Sequence, residues 1–276
     1  MTTNCVLPPR KSYADRLYTL HSVTVETDND DNNKLHLQAN EHGQYDFKAV
    51  MNHARKCKGF TKTVKPSSFG MTGYNHAAVT DTMLRDIKTG LADGTLSRLF
   101  VIGGCDGSQW NRSYFTDLAE ETPFEGDEGR SVILTMGCAK NRLVHSEKLL
   151  HQQHMVDATT ESSVDHEATT AIPRIMDMGQ CNDAYSAVLV AKRLAKELNV
   201  DMNELPMSFA WSHMEQKACA VLLTLLSMGV KNIRLGPTLP AYWTDTVARH
   251  LERDYALHAV HTDDVQTDLE QMMKGQ

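Results

Sequence analysis

The sequence has no excess of basic residues. Lys and Arg number 28 against 35 Asp and Glu, which leaves a net charge of -7 and a pI near 6.0. That balance argues against a nucleic-acid partner, whose binding face is usually basic. Long hydrophobic runs are also missing. The best, ACAVLLTLLSMGV from Ala218 to Val230, is interrupted by Thr224 and Ser227 and is too short to span a bilayer. The first residues lack the basic-then-apolar pattern of a secretory signal. Six cysteines, at positions 5, 57, 105, 138, 181 and 219, are too dispersed for a small disulfide-stapled domain. No CxxC pair occurs among them, which argues against zinc ribbons and ferredoxin-type loops. GGCDG, Gly103 to Gly107, lacks the GxGxxG spacing of a dinucleotide loop, and no repeat of fixed period is visible. The expectation is a protein of a reducing, cytoplasmic compartment, with thiols that are free, metal-bound or catalytic and with neither a nucleic-acid nor a membrane partner.

What is present is ordinary globular composition, with 41% hydrophobic and 23% charged residues over 276, enough for one large domain or two modest ones. From about residue 97 short apolar runs alternate with helical patterns. RLFVIGGC, RSVILTMGC, IPRIMDMGQC, LPMSFAW and KNIRLGP read as five strands. Between them, NDAYSAVLVAKRLAKEL opens on Asn182 or Asp183 as N-cap, with Ala184, Val188, Ala191 and Leu194 at helical spacing. EQKACAVLLTLLSMG is apolar nearly all round and reads as a buried helix. Near-continuous apolar strands alternating with helices predict an α/β fold: a doubly wound, mainly parallel, Rossmann-like sheet flanked by helices. Residues 1–95, with a polar loop from Glu26 to Glu41 and a helix at about 76–93, read as part of a second, similar α/β domain. Residues 96–276 form the main domain. Within it the His-, Glu- and Thr-rich stretch at about 143–170 reads as an insertion, and the tail from His261 as frayed.

In an open parallel sheet, ligands bind beyond the carboxyl ends of the strands. Cys105, Cys138 and Cys181 stand there after the first three strands, and Glu215 follows the fourth. Any one of these is most simply a turn residue. Together they suit a metal site, since thiolates favour zinc, copper(I) or iron–sulfur centres. Dispersed cysteines with a carboxylate point to a larger, mixed-ligand iron–sulfur assembly between domains. TTNCVLPP resembles a further strand end, with only four residues ahead of Cys5. Either Cys5 is an ordinary residue or Met1 is an internal methionine of a longer chain.

TTNCVLPP, GGCDG, ILTMGCAKNR, GQCNDAYSA, MEQKA and KNIRLGPTLPA, in that order, resemble the second half of the hybrid cluster protein family, also called prismane protein or hydroxylamine reductase. The family is distantly related to nickel–iron carbon monoxide dehydrogenases. The resemblance implies a hybrid iron–sulfur–oxygen cluster of the four-iron class, held by four cysteines, two glutamates and a histidine. By motif the thiols are Cys5, Cys105, Cys138 and Cys181, with Cys105 in the persulfide role. Glu215 is one glutamate, and Lys217 is a charged partner that stabilises an anion or relays a proton. If Glu215 and Lys217, two residues apart, both face the cluster, the helix must begin after Glu215. The implied reaction is reduction of hydroxylamine, or of nitric oxide, with electrons from a reductase or ferredoxin.

The family pattern begins with a four-cysteine motif for a second iron–sulfur cluster, then a helical domain, then the histidine and first glutamate ligands. None of these precedes TTNC in this chain. GCAK and SHMEQK also replace the usual ACGK and SWYEQK. Two further readings therefore stand beside the reductase: a cluster-deficient remnant with a binding or structural role, and a carbon monoxide dehydrogenase-like enzyme, which would need nickel. Among other residues, Cys57 reads as an exposed thiol and Cys219 as core. His145, His151, His154 and Glu147 read as a solvated face rather than a zinc site. His76 is either a helix-start packing residue or a neighbour of the site.

Overall fold

The computed structural model describes residues 12–20, 36–59, 61–63, 73–103, 106, 112–125, 129–161, 172–180, 184–212, 216–237, 239, 243–261 and 263–275. The chain divides into two compact units, Met1–Ser67 and Ser68–Gln276. Among the described residues no helix is long and apolar enough to cross a membrane.

The first unit contains a 3-10 turn at Ala14–Arg16 and a helix α1 at Lys48–Lys56. Thr19 and His36 form a parallel bridge, and Ala39 and Tyr45 an antiparallel one. Asn40 closes the second by accepting from the backbone N–H groups of His42 and Gln44 at 3.0 and 2.8 Å. Helix α1 buries no residue. It is held to the preceding segment by the Tyr18 hydroxyl on His53 Nδ1 at 2.9 Å.

The second unit is a six-stranded sheet of β1 (Leu96–Ile102), β2 (Arg130–Thr135), β3 (Ile175–Asp177), β4 (Met207–Trp211), β5 (Ile233–Leu235) and β6 (Leu257–Ala259), in the spatial order β3-β2-β1-β4-β5-β6. All five pairings are parallel. Helices α2 (Asp81–Asp93), α6 (Ala184–Leu198) and α7 (Gln216–Ser227) supply one apolar layer. Helices α3 (Tyr114–Glu121), α4 (Ala139–Leu143), α5 (Glu147–Glu161) and α9 (Val265–Lys274) supply the other. Along β1, Leu99 and Val101 point into the first layer and Phe100 and Ile102 into the second, so a continuous apolar run serves both faces. The doubly wound parallel fold expected from the alternation is the one observed. Helix α8 (Asp245–Tyr255) leads into β6, a strand too short to register as an apolar run.

Several local expectations change. Helix α2 starts at Asp81 rather than near 76, because Asn75 Oδ1 accepts from the Ala77 and Ala78 N–H groups in a turn. Thr80 then caps the helix through Met83 N at 3.1 Å. It packs on β1 and α6 and lies in the second unit. Helix α7 is not buried all round: as an outer layer it covers the sheet with Val221, Leu222 and Leu225 and leaves Leu223 62% exposed. Part of the stretch read as an insertion is α5, whose Leu149 is fully buried. Its anchoring is largely polar, which is why it shows no apolar period. Gln152 Oε1 accepts from the buried Arg174 guanidinium at 2.9 Å and Gln153 Oε1 from the Arg174 N–H at 2.8 Å. Arg174 also donates to the Thr122 and Ser131 carbonyls at 2.9 and 2.6 Å, joining α3, β2 and β3. Gly129 allows β2 to enter beside β1: its φ is +74°, and a Cβ there would come within 2.4 Å of the Gly94 carbonyl oxygen.

The tail is folded, not frayed. Helix α9 is capped by Asp264 through Thr267 N at 3.0 Å and buries Leu269 and Met272. It also buries Asp268, which gathers three partners: the Tyr114 hydroxyl at 2.6 Å, Arg234 Nε at 3.2 Å and His261 Nδ1 at 2.8 Å. Burial, reinforced by the Asp268 hydrogen bond, raises the Tyr114 phenol far above its usual range, so it remains a donor. Removing the carboxylate would strand the Arg234 cation. Asp268→Ala is therefore expected to cost about 3–5 kcal/mol in urea unfolding, and Asp268→Leu with Arg234→Met to recover most of it. Equal losses in the two variants would contradict this.

Candidate functional site

Because every strand runs the same way, all carboxyl ends lie on one edge of the sheet. The ends of β3, β2, β1 and β4 are consecutive along it, separated by three strand spacings, roughly 14 Å in all. The winding reverses between β1 and β4, which are hydrogen-bonded neighbours. This is the switch point where open α/β sheets bind ligands.

The described backbone shows how each strand leaves this edge. After β1, Gly103 donates to the Ala210 carbonyl of β4 at 3.0 Å. A Cβ on Gly103 would sit 3.2 Å from the Trp211 ring, so a bare Cα suits the close approach of the β1 exit to β4. The Thr135 hydroxyl at the end of β2 donates to the Ile102 carbonyl at 3.0 Å and ties that exit to β1. Gly137, at φ +67°, turns the chain into Cys138. Its N–H meets the Gly179 carbonyl beyond β3 at 2.9 Å. Asp177, the last residue of β3, accepts from the Gly179 N–H at 2.9 Å and fixes that turn.

Cys138 is the described member of the expected thiol set. It is the N-cap of α4 and is exposed at the carboxyl edge. Cys5, Cys105, Cys181 and Glu215 lie outside the described residues. Helix α7 spans Gln216–Ser227. Lys217 is its second residue. Among the described residues no group of three or more His, Cys, Asp or Glu side chains is placed to hold a metal ion. His145, His151, His154 and Glu147 are not brought together into such a group. His76 lies in the turn ahead of α2, with its N–H and Nδ1 on the Ser186 hydroxyl of α6 at 2.7 and 3.1 Å. Cys57 and Cys219 are both half-buried.

Two ion pairs at this edge were not read from the sequence. Asp106, the residue after Cys105, has a buried side chain that caps α3 through Phe115 N and Thr116 N, both at 3.0 Å. Arg142 Nη1 of α4 stands 3.7 Å from its Oδ2 and also donates to the Arg112 carbonyl. Lys140 Nζ of α4 reaches the Asp177 carboxylate at 3.2 Å, with both side chains largely buried. Their signal was in GGCDG and GCAKNR, but the partners are 36 and 37 residues apart and nothing local pairs them.

Comparison with known proteins agrees with the resemblance read from the motifs. The family model "Prismane/CO dehydrogenase family" matches residues 1–270. A hydroxylamine reductase of Gloeothece citriformis is 36% identical over 267 residues, covering 96% of this chain and 42% of the relative. One of Clostridium tetani is 37% identical over 262 residues, covering 94% of this chain and 40% of the relative. The chain thus spans about two fifths of the length of these relatives. Among solved structures, carbon monoxide dehydrogenase IV from Carboxydothermus hydrogenoformans superposes with a TM-score of 0.55 at 16% identity, over 74% of this chain and 35% of that one. A nickel-free carbon monoxide dehydrogenase from Thermococcus sp. AM4 gives 0.56 at 20% identity, over 74% and 32%. Those two likenesses are of fold. On the family model and the relatives, the chain belongs to the prismane/CO dehydrogenase family.

Proposed function

We propose that this chain is the cluster-holding portion of an iron–sulfur oxidoreductase that reduces hydroxylamine to ammonia and water. The observation that carries this reading is the adjacency of four parallel strand ends, each followed in sequence by a thiol or a carboxylate: Cys181 after β3, Cys138 after β2, Cys105 after β1 and Glu215 after β4. The donor set fits an iron–sulfur group. Thiolates are soft ligands suited to iron in a sulfide cluster, and a carboxylate supplies hard oxygen to an iron that also meets oxygen-bearing molecules. The relatives carry the name of the reaction.

When bound, the hybrid cluster supplies the electron transfer; the protein's part is to hold it, shape access and move protons. Reducing one hydroxylamine consumes two electrons and two protons and breaks the N–O bond. Lys217, the second residue of α7, is the proposed donor of a proton to the leaving oxygen. Electrons would come from a reductase or ferredoxin. Nitric oxide is a second nitrogen-oxide substrate compatible with the same site. The carbon monoxide dehydrogenase fold likeness favours a second reading, which a metal analysis separates by nickel.

The full-length protein purified without oxygen is expected to carry about four iron atoms at this site with acid-labile sulfide and no nickel. Cys105→Ala should lose the cluster and with it at least about a hundredfold of hydroxylamine reduction. An iron-free wild type, or retained activity in Cys105→Ala, would sink the reading. Lys217→Met should keep its iron while kcat falls about a hundredfold or more, as for loss of a general acid. Loss of iron in that variant would make Lys217 structural instead.

A further inference from the structure

Helix α4 has only five residues, yet it meets the exits of both neighbouring strands. It begins directly after Cys138, above the end of β2, and β2 lies between β1 and β3 in the sheet. Lys140 and Arg142 are two residues apart, so they leave the helix on nearly opposite sides. Arg142 reaches Asp106 beyond β1, and Lys140 reaches Asp177 at the end of β3. In sequence, Asp106 directly follows Cys105, and Asp177 stands four residues before Cys181.

We infer that α4 is a brace that fixes the turns leaving β1, β2 and β3 relative to one another, with Lys140 and Arg142 as its positioning residues. Both carboxylates pass their position on to backbone. Asp106 holds two N–H groups at the start of α3, and Asp177 holds the Gly179 N–H. The Asp106 and Asp177 side chains are 3% and 6% exposed, so salt and water screen these pairs far less than surface ones. The direct backbone bond from Gly137 to Gly179 adds a third tie between the second and third turns. Holding these turns has a purpose only if they carry ligands, as proposed above. The brace itself stands on described residues alone.

The test uses the full-length, metal-free protein and a trivalent arylarsenical, which bridges two thiols only when they can approach one another. Bridged peptides are identified by mass spectrometry. Wild type should bridge Cys138 to Cys181 and Cys105 to Cys138. Lys140→Gln should slow the first bridge about tenfold and Arg142→Gln the second, through a lower effective concentration of one thiol near the other. Lys140→Arg, which keeps a cation opposite Asp177, should leave the first bridge as in wild type, and alkylation of Cys219 in α7 should stay unchanged in all variants as a check on folding. Unchanged bridging in Lys140→Gln and Arg142→Gln, or no bridging in wild type, would overturn the brace. Its failure is distinguishable from failure of the cluster reading. A wild type without iron whose bridging still depends on Lys140 keeps the brace and sinks the cluster. An iron-bearing wild type whose bridging ignores Lys140 and Arg142 does the reverse.

Discussion

The parallel direction of all six strands is the constraint on which the rest of this molecule depends. A parallel strand needs a crossover, and each crossover puts the carboxyl end of every strand on the same edge. Residues more than a hundred positions apart then leave the sheet side by side. The order β3-β2-β1-β4 makes the exits carrying Cys181, Cys138, Cys105 and Glu215 consecutive. The proposed ligand set is thus gathered by the sheet and not by a short motif such as CxxC.

That arrangement leaves several polar groups to be satisfied in the interior, and the second helical layer meets the need. Arg174 supplies donors to carbonyls at the α3–β2 junction, and Asp268 neutralises Arg234 while accepting from Tyr114. Both networks bridge elements distant in sequence and lie on the α3–α5–α9 face. Tyr114 opens the helix that follows the Cys105 turn, and Asp106 caps the same helix. The carboxyl edge is therefore tied to the buried core through α3 as well as to its neighbouring exits through α4.

Five strands were legible because each holds a short apolar stretch, as in Leu99 to Ile102, whereas β6, Leu257–Ala259, is too short to be read that way. Helix α6 was legible from its apolar stripe. Spatial order was not, since nothing in a run of Val, Ile and Leu states its neighbour. Helix α9 was misread because its anchor is a buried carboxylate, and acidic residues in a terminal segment read as solvated. Helix α5 was missed for a related reason, with Gln152 and Gln153 serving Arg174 instead of an apolar stripe. Of the candidate site, Cys138 stands directly after the β2 exit, where its place after an apolar run had put it, while Cys5, Cys105 and Cys181 lie outside the described residues. The ion pairs of Asp106, Lys140, Arg142 and Asp177 were not legible, because pairing across crossovers leaves no local pattern.

The most direct measurement is anomalous diffraction at the iron edge from crystals of the full-length protein grown without oxygen. The account predicts iron density beyond the ends of β3, β2, β1 and β4, with Cys138 Sγ at bonding distance from one iron. Iron located elsewhere in the molecule, with Cys138 outside its coordination sphere, would contradict it.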